Sequence, residues 1–123
     1  MEKEKYKIEK DFKIIPYSFQ LEMIQGCSRR CDFCGLNQIR GKKRVFNEMS
    51  IELAEIIAPQ IGKDFKEKIR IEFGMHGEPL FNRNADIIIS IFRKHLPKSQ
   101  ISLISNGDPI KLKGGDEKIK SLF

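Results

Sequence analysis

Three cysteines fall within eight positions of this 123-residue chain, in the run Gly26-Cys27-Ser28-Arg29-Arg30-Cys31-Asp32-Phe33-Cys34-Gly35. The spacing is C-x3-C-x2-C. Thiolates are soft ligands that suit iron–sulfur clusters and zinc. A four-iron cluster usually takes four cysteines. Three on one short loop, Cys27, Cys31 and Cys34, would hold three irons and leave the fourth open to a small molecule with an amine and a carboxylate. A structural zinc site would need a fourth ligand, and His76 and His95 are the histidines available. Inert buried thiols are the remaining reading. An odd, tightly packed set is a poor disulfide framework, so a reducing compartment fits best.

Two further segments carry possible chemistry. Gly74-Met75-His76-Gly77-Glu78-Pro79-Leu80 combines glycines, which let backbone approach a ligand, with a carboxylate able to accept from an ammonium. By itself it also reads as an ordinary Gly/Pro turn with a solvated Glu. Ile104-Ser105-Asn106-Gly107 ends in a turn signal. His76 reads as a loop hydrogen-bonder. His95 reads as a residue that favours a helix C-terminus.

The elements that must position these segments follow from periodicity. Ser18 to Ile24 alternates, with Phe19, Leu21 and Met23 on one face, which predicts a strand running into the cysteine loop. Ser50 offers an N-cap for a helix bearing Leu53, Ile56, Ile57 and Ile61, and Pro59 predicts a kink or early end. Lys68 to Gly74 alternates again through Ile69, Ile71 and Phe73. Asn84 can cap a second helix carrying Ile88, Ile91 and Phe92, stopped by Pro97. Gln100 to Ser105 is a third strand with Ile101 and Leu103 on one face, and Lys118 to Phe123 begins a possible third helix. Helical crossovers between strands predict an α/β fold with a parallel sheet and right-handed connections. All three motifs then lie at the carboxyl ends of strands, where such sheets gather ligands. If the apolar faces meet helices, Gln20, Glu22, Arg70, Glu72 and Ser102 line the other side, partly as Arg–Glu pairs.

The cysteine spacing, with Phe33 before the last cysteine, Gly26 before the first and a strand leading in, resembles the cluster loop of the radical S-adenosylmethionine (radical SAM) family. Gly77, Glu78 and Pro79 match that family's Gly-Gly-Glu-Pro motif, with His76 where the first glycine is usual. Ser105-Asn106-Gly107 is similar to its Thr-Asn-Gly strand end. The resemblance implies a [4Fe–4S] cluster on Cys27, Cys31 and Cys34. It implies S-adenosylmethionine (SAM) near Phe33, Gly77, Glu78, Pro79, Ser105 and Asn106. It also implies reductive cleavage of SAM to a 5′-deoxyadenosyl radical for hydrogen abstraction. It covers roughly residues 17 to 107. The family core usually has six strand–helix units in a partial (β/α) barrel, and only about the first three are visible. We therefore expect residues 1–16 to be a charged lead-in and 17–123 to be a truncated radical SAM core. Such a core would be a fragment or split half, would need a second chain to complete the barrel, or would be a degenerate cluster-binding remnant without activity. The non-catalytic alternative is an iron–sulfur or zinc interaction module.

Composition sets the outer limits. The net charge is +6, and 33% of residues are charged. The longest apolar stretch, around Ile87 to Phe92, is far short of a bilayer span. No signal-type apolar run follows the charged first residues, which predicts a cytoplasmic protein with no membrane partner. Arg29, Arg30, Arg40, Lys42, Lys43 and Arg44 face Asp32 alone between positions 29 and 44. That run would ease reduction of a nearby anionic cluster. It would also attract an acidic electron donor such as a flavodoxin or ferredoxin, or a nucleic acid. A plain solvated charge run is the bland reading.

Overall fold

The computed structural model describes residues 16–38, 45–65, 69–112, 114, 117 and 120–122. The charged lead-in before Pro16 and the basic residues Arg40, Lys42, Lys43 and Arg44 lie outside the described residues. The expected third helix is described only in part. There the Ser121 N–H donates to the Glu117 carbonyl, one helical turn.

Three parallel strands form the central sheet: β1 (Ser18–Leu21), β4 (Arg70–Phe73) and β5 (Gln100–Leu103), in the order β1-β4-β5. Phe19 pairs with Ile71 and Ile71 with Ile101, so the apolar positions of all three strands fall on one face. That face packs against α1 (Ile51–Asp64) and α2 (Ala85–His95), the helices that bracket β4 in the chain. Ile71, Phe73, Ile88 and Phe92 are fully buried there, and the Phe73 and Phe92 rings meet edge to face at 5.3 Å. The fold is therefore α/β with a parallel sheet. The opposite face carries the expected polar set. Gln20 Nε2 donates to Glu72 at 3.3 Å, and Arg70 pairs with the same carboxylate at 2.7 Å.

Three expectations are corrected. The first strand does not run through to Ile24. It breaks after Leu21, and Ile24–Gln25 forms a separate strand, β2, pairing antiparallel with β3 (Asn47–Glu48). Here the chain leaves the parallel sheet to start the cysteine loop and is caught by the segment returning from it. The buried face of α1 is Ala54, Ala58 and Ile61, while Leu53 and Ile56 are 44% and 58% exposed. Small residues let α1 approach closely. A Cβ on Gly62 would sit 2.6 Å from the His95 carbonyl oxygen of α2. Proximity of the two backbones thus decides the face, where side-chain hydropathy alone pointed elsewhere. Pro59 lies inside α1 without ending it, and the helix continues to Asp64.

The caps set where each helix begins and ends. Ser50 Oγ accepts from the Leu53 N–H at 3.2 Å, as its type and position predict. Asn84 occupies the N-cap of α2 but makes no side-chain cap bond. Asn82 contributes instead, its Oδ1 accepting from the Asn84 N–H at 2.8 Å. At the other end of α2, Arg93 Nη1 donates to the carbonyls of Leu96, Pro97 and Ser99, the last at 2.6 Å. These carbonyls follow the helix and would otherwise need water.

Candidate functional site

The carboxyl ends of β1, β4 and β5 carry the three motifs, and the structure sews them together. Gly26, just before Cys27, forms a parallel bridge with Gly77. The Glu78 N–H donates to the Gly26 carbonyl at 2.9 Å, and the Gly26 N–H donates to the His76 carbonyl at 3.4 Å. Only glycine fits at both bridge positions. Gly26 has φ +126°, and a Cβ there would meet the Val45 carbonyl oxygen at 2.4 Å. A Cβ on Gly77 would lie 2.3 Å from the Ile24 carbonyl oxygen and 2.6 Å from that of Gly26. The start of the cysteine loop thus lies directly on the Gly-Glu-Pro segment.

Glu78 is buried, with 1% exposure. Its Oε1 accepts from the Leu80 N–H at 3.1 Å, capping the short 3-10 turn Pro79–Phe81. Its Oε2 accepts from the Asn106 N–H at 2.5 Å. The carboxylate expected to meet a ligand ammonium therefore ties β4's loop to the end of β5. Asn106 extends the connection to the cysteines. Its Nδ2 lies 3.2 Å from Cys27 Sγ and 3.3 Å from Ser28 Oγ. Its Oδ1 accepts from the Asp108 N–H at 2.8 Å. Ser105 is exposed, its Oγ accepting from the Gly107 N–H at 3.0 Å to shape the turn.

A charged latch closes the same loop. Asp108 accepts from Ser28 Oγ at 2.6 Å and from both Nε and Nη2 of Arg29. The Arg29 guanidinium, aided by the Ser28 hydroxyl, holds the Asp108 carboxyl down at about 2, below the ordinary carboxylate range. Arg29 is shifted upward by the same hydrogen bond and charge. Arg29 is thus committed to Asp108 rather than standing as part of a free basic run.

The cysteine loop is a sequence of turns. The Cys34 N–H donates to the Cys31 carbonyl at 2.9 Å, and the Asn37 N–H to the Cys34 carbonyl at 3.0 Å. Asn37 Nδ2 also donates to the Cys31 carbonyl, at 2.5 Å. All three thiols are free and partly exposed. Among the described residues no three His, Cys, Asp or Glu side chains converge on one metal ion. A four-iron cluster asks for something different, one thiolate on each of three irons. The donor set fits it: three accessible soft sulfurs on a loop whose backbone turns are already satisfied. Phe33 is 92% exposed and packs on nothing in the described chain.

The two histidines part company. His76 pairs through Nδ1 with Glu22 at the end of β1, beside the loop. His95 is in the last turn of α2, which returns the chain to the amino ends of the strands. It therefore sits at the opposite end of the sheet from the cysteines and belongs to no common ligand set with them.

Sequence reasoning passed over Asn82. It is fully buried, its Nδ2 donating to the Met23 carbonyl at 2.8 Å and the Met49 carbonyl at 2.9 Å. One amide thus clamps both stems of the cysteine loop to the Gly-Glu-Pro segment. Its place three residues after Pro79, in a turn before a helix, was the only signal, and it suggested a loop residue.

The family model for the radical SAM superfamily matches residues 21–123. The chain belongs to the radical SAM superfamily. An S-adenosyl-L-methionine-dependent 2-deoxy-scyllo-inosamine dehydrogenase of Niallia circulans is 29% identical over 90 residues, covering 72% of this chain and 34% of that protein. Among solved structures, BtrN in an open conformation superposes with a TM-score of 0.71 at 21% identity, over 89% of this chain and 47% of that one. BtrN in complex with AdoMet and 2-DOIA gives 0.72 at 23% identity, over 89% and 43%. At these identities the likeness concerns the fold. This radical SAM chain spans about a third of the length of the curated relative and less than half of the solved structures. No helix among its described residues is long and apolar enough to cross a membrane.

Proposed function

We propose that this chain supplies the cluster-binding and methionine-binding side of a radical SAM active site. In this reading Cys27, Cys31 and Cys34 hold a [4Fe–4S] cluster and leave its fourth iron to SAM. When bound, such a cluster supplies the electron that cleaves SAM to methionine and a 5′-deoxyadenosyl radical, which takes hydrogen from a substrate. The observation that carries the proposal is the connection of all three motifs at the carboxyl edge of the sheet, through Gly26–Gly77 and Glu78–Asn106–Cys27.

Each residue has a task in this reading. Gly77, with no Cβ, lets the stem of the cysteine loop lie directly on the methionine-binding segment, and Pro79 stiffens the turn behind it. Both Glu78 oxygens already accept from backbone, so Glu78 holds that turn in shape and ties it to β5. Ser105 and Asn106 flank the site from the end of β5, and Phe33 stands free beside Cys34 to cover SAM. The +6 net charge favours an acidic electron donor.

Anaerobic reconstitution with iron and sulfide tests this. The expected result is a four-iron centre that needs all three cysteines, whose reduced EPR spectrum changes on adding SAM. A single tightly bound zinc with no SAM response, or no four-iron centre at all, overturns it.

A further inference from the structure

Asn106 is held from three sides. Its N–H is taken by Glu78 Oε2, and its side-chain Oδ1 receives the Asp108 N–H at 2.8 Å. The second contact settles which way the amide faces, because a backbone donor must meet the oxygen and not the nitrogen. Nδ2 is therefore aimed back at the cysteine loop, 3.2 Å from Cys27 Sγ. The Arg29 N–H is a weaker second donor, at 3.5 Å from the same sulfur.

Resting on the proposed cluster, we propose that Asn106 is a positioning residue that sets its reduction potential, donating a hydrogen bond from Nδ2 to the Cys27 sulfur. Hydrogen bonds to ligand sulfurs are among the main controls on the potential of an iron–sulfur centre. Reduction adds one negative charge, spread partly over the sulfurs. An N–H aimed at Cys27 stabilises the reduced form more than the oxidised one and makes the electron easier to accept. The donor is also preorganised. Glu78 and Asp108 have already fixed the Asn106 backbone and amide plane, so no rearrangement accompanies reduction. Glu78 then acts on the cluster through Asn106.

The test compares wild type, Asn106→Ala and Asn106→Asp after anaerobic reconstitution. Iron per chain is measured first, and the midpoint potential then by EPR-monitored redox titration. Asn106→Ala should lower the equilibrium constant for reduction about tenfold, a shift of about 59 mV to more negative potential for a one-electron couple. Asn106→Asp keeps the shape but replaces the donor with a carboxylate, and should shift further in the same direction. Unchanged potentials in both variants at full iron content overturn the inference while leaving the proposed function standing. A wild-type chain that assembles no four-iron centre overturns both. If the variants lose iron, the wild type decides. With asparagine labelled by 15N, its reduced cluster should show nitrogen coupling in ENDOR, and absence of that coupling overturns the inference.

Discussion

Gly77→Ala is the sharpest probe of how the cysteine loop is held. The added Cβ would lie 2.3 Å from the Ile24 oxygen, 2.6 Å from the Gly26 oxygen and 2.9 Å from the Gly26 nitrogen. Ordinary contact needs a separation of about 3.5–4 Å. The two backbones must then part by about 1 Å, and all three clashing atoms are main chain that cannot rotate away. Overpacking of this kind costs about 1–3 kcal/mol. The separation also breaks the 2.9 Å bond from the Glu78 N–H to the Gly26 carbonyl. A typical hydrogen bond contributes roughly 0.5–1.5 kcal/mol net, so the two effects together come to about 2–4 kcal/mol. Against a whole-domain stability of about 5–15 kcal/mol, that is a large loss. Urea unfolding followed by circular dichroism should show a clearly lower midpoint, and iron retention after reconstitution should fall with it. Gly35→Ala is the matched control, since a Cβ there meets nothing within 4 Å and its backbone is not left-handed. It should behave as wild type. A Gly77→Ala protein with wild-type midpoint and full iron content would refute the claim that the bridge holds the loop.

Other outcomes follow from the same contacts. Asn82→Leu takes the amide donor from the Met49 carbonyl and leaves the Met23 carbonyl with the Met49 N–H at 2.9 Å, and should cost roughly 1–3 kcal/mol, read from urea midpoints. Glu78→Gln must turn its NH2 toward the Leu80 or the Asn106 N–H, two donors facing each other, so a loss of roughly 1–3 kcal/mol is expected in the same assay. The Asp108 carboxyl is depressed to about 2 when folded, from an ordinary value of 3.8. Its latch is therefore fully present above about pH 4 and is lost as pH falls toward 2. Wild type and Asp108→Asn should differ in urea midpoint at pH 6 and converge near pH 2. A gap that persists at pH 2 would show that the latch does not act through charge.

The order of strands and helices was legible in the chain because alternation and helical spacing report which side of each element is dry. The cysteine spacing was legible as chemistry because three soft ligands in eight positions are unusual, whereas Gly77-Glu78-Pro79 and Ser105-Asn106-Gly107 read by themselves as ordinary turns and stood out only through their resemblance to a family's motifs. Periodicity also put Arg70 and Glu72 on the polar face, where they pair. Proximity was not legible. Leu53 and Ile56 looked like the core of α1, yet Ala54 and Ala58 are, because only small residues let α1 come down onto α2 at Gly62. Asn82 looked like a loop residue and is the buried clamp. Asn106 is separated from Cys27 by 79 positions, and nothing local to either residue says that they touch. Sequence alone determined which groups could do chemistry and the elements that carry them, since composition and period are local properties. Only the tertiary structure decided which groups meet, because the parallel register of β1, β4 and β5 brings their three following loops to one edge, where hydrogen bonds between distant residues define the site.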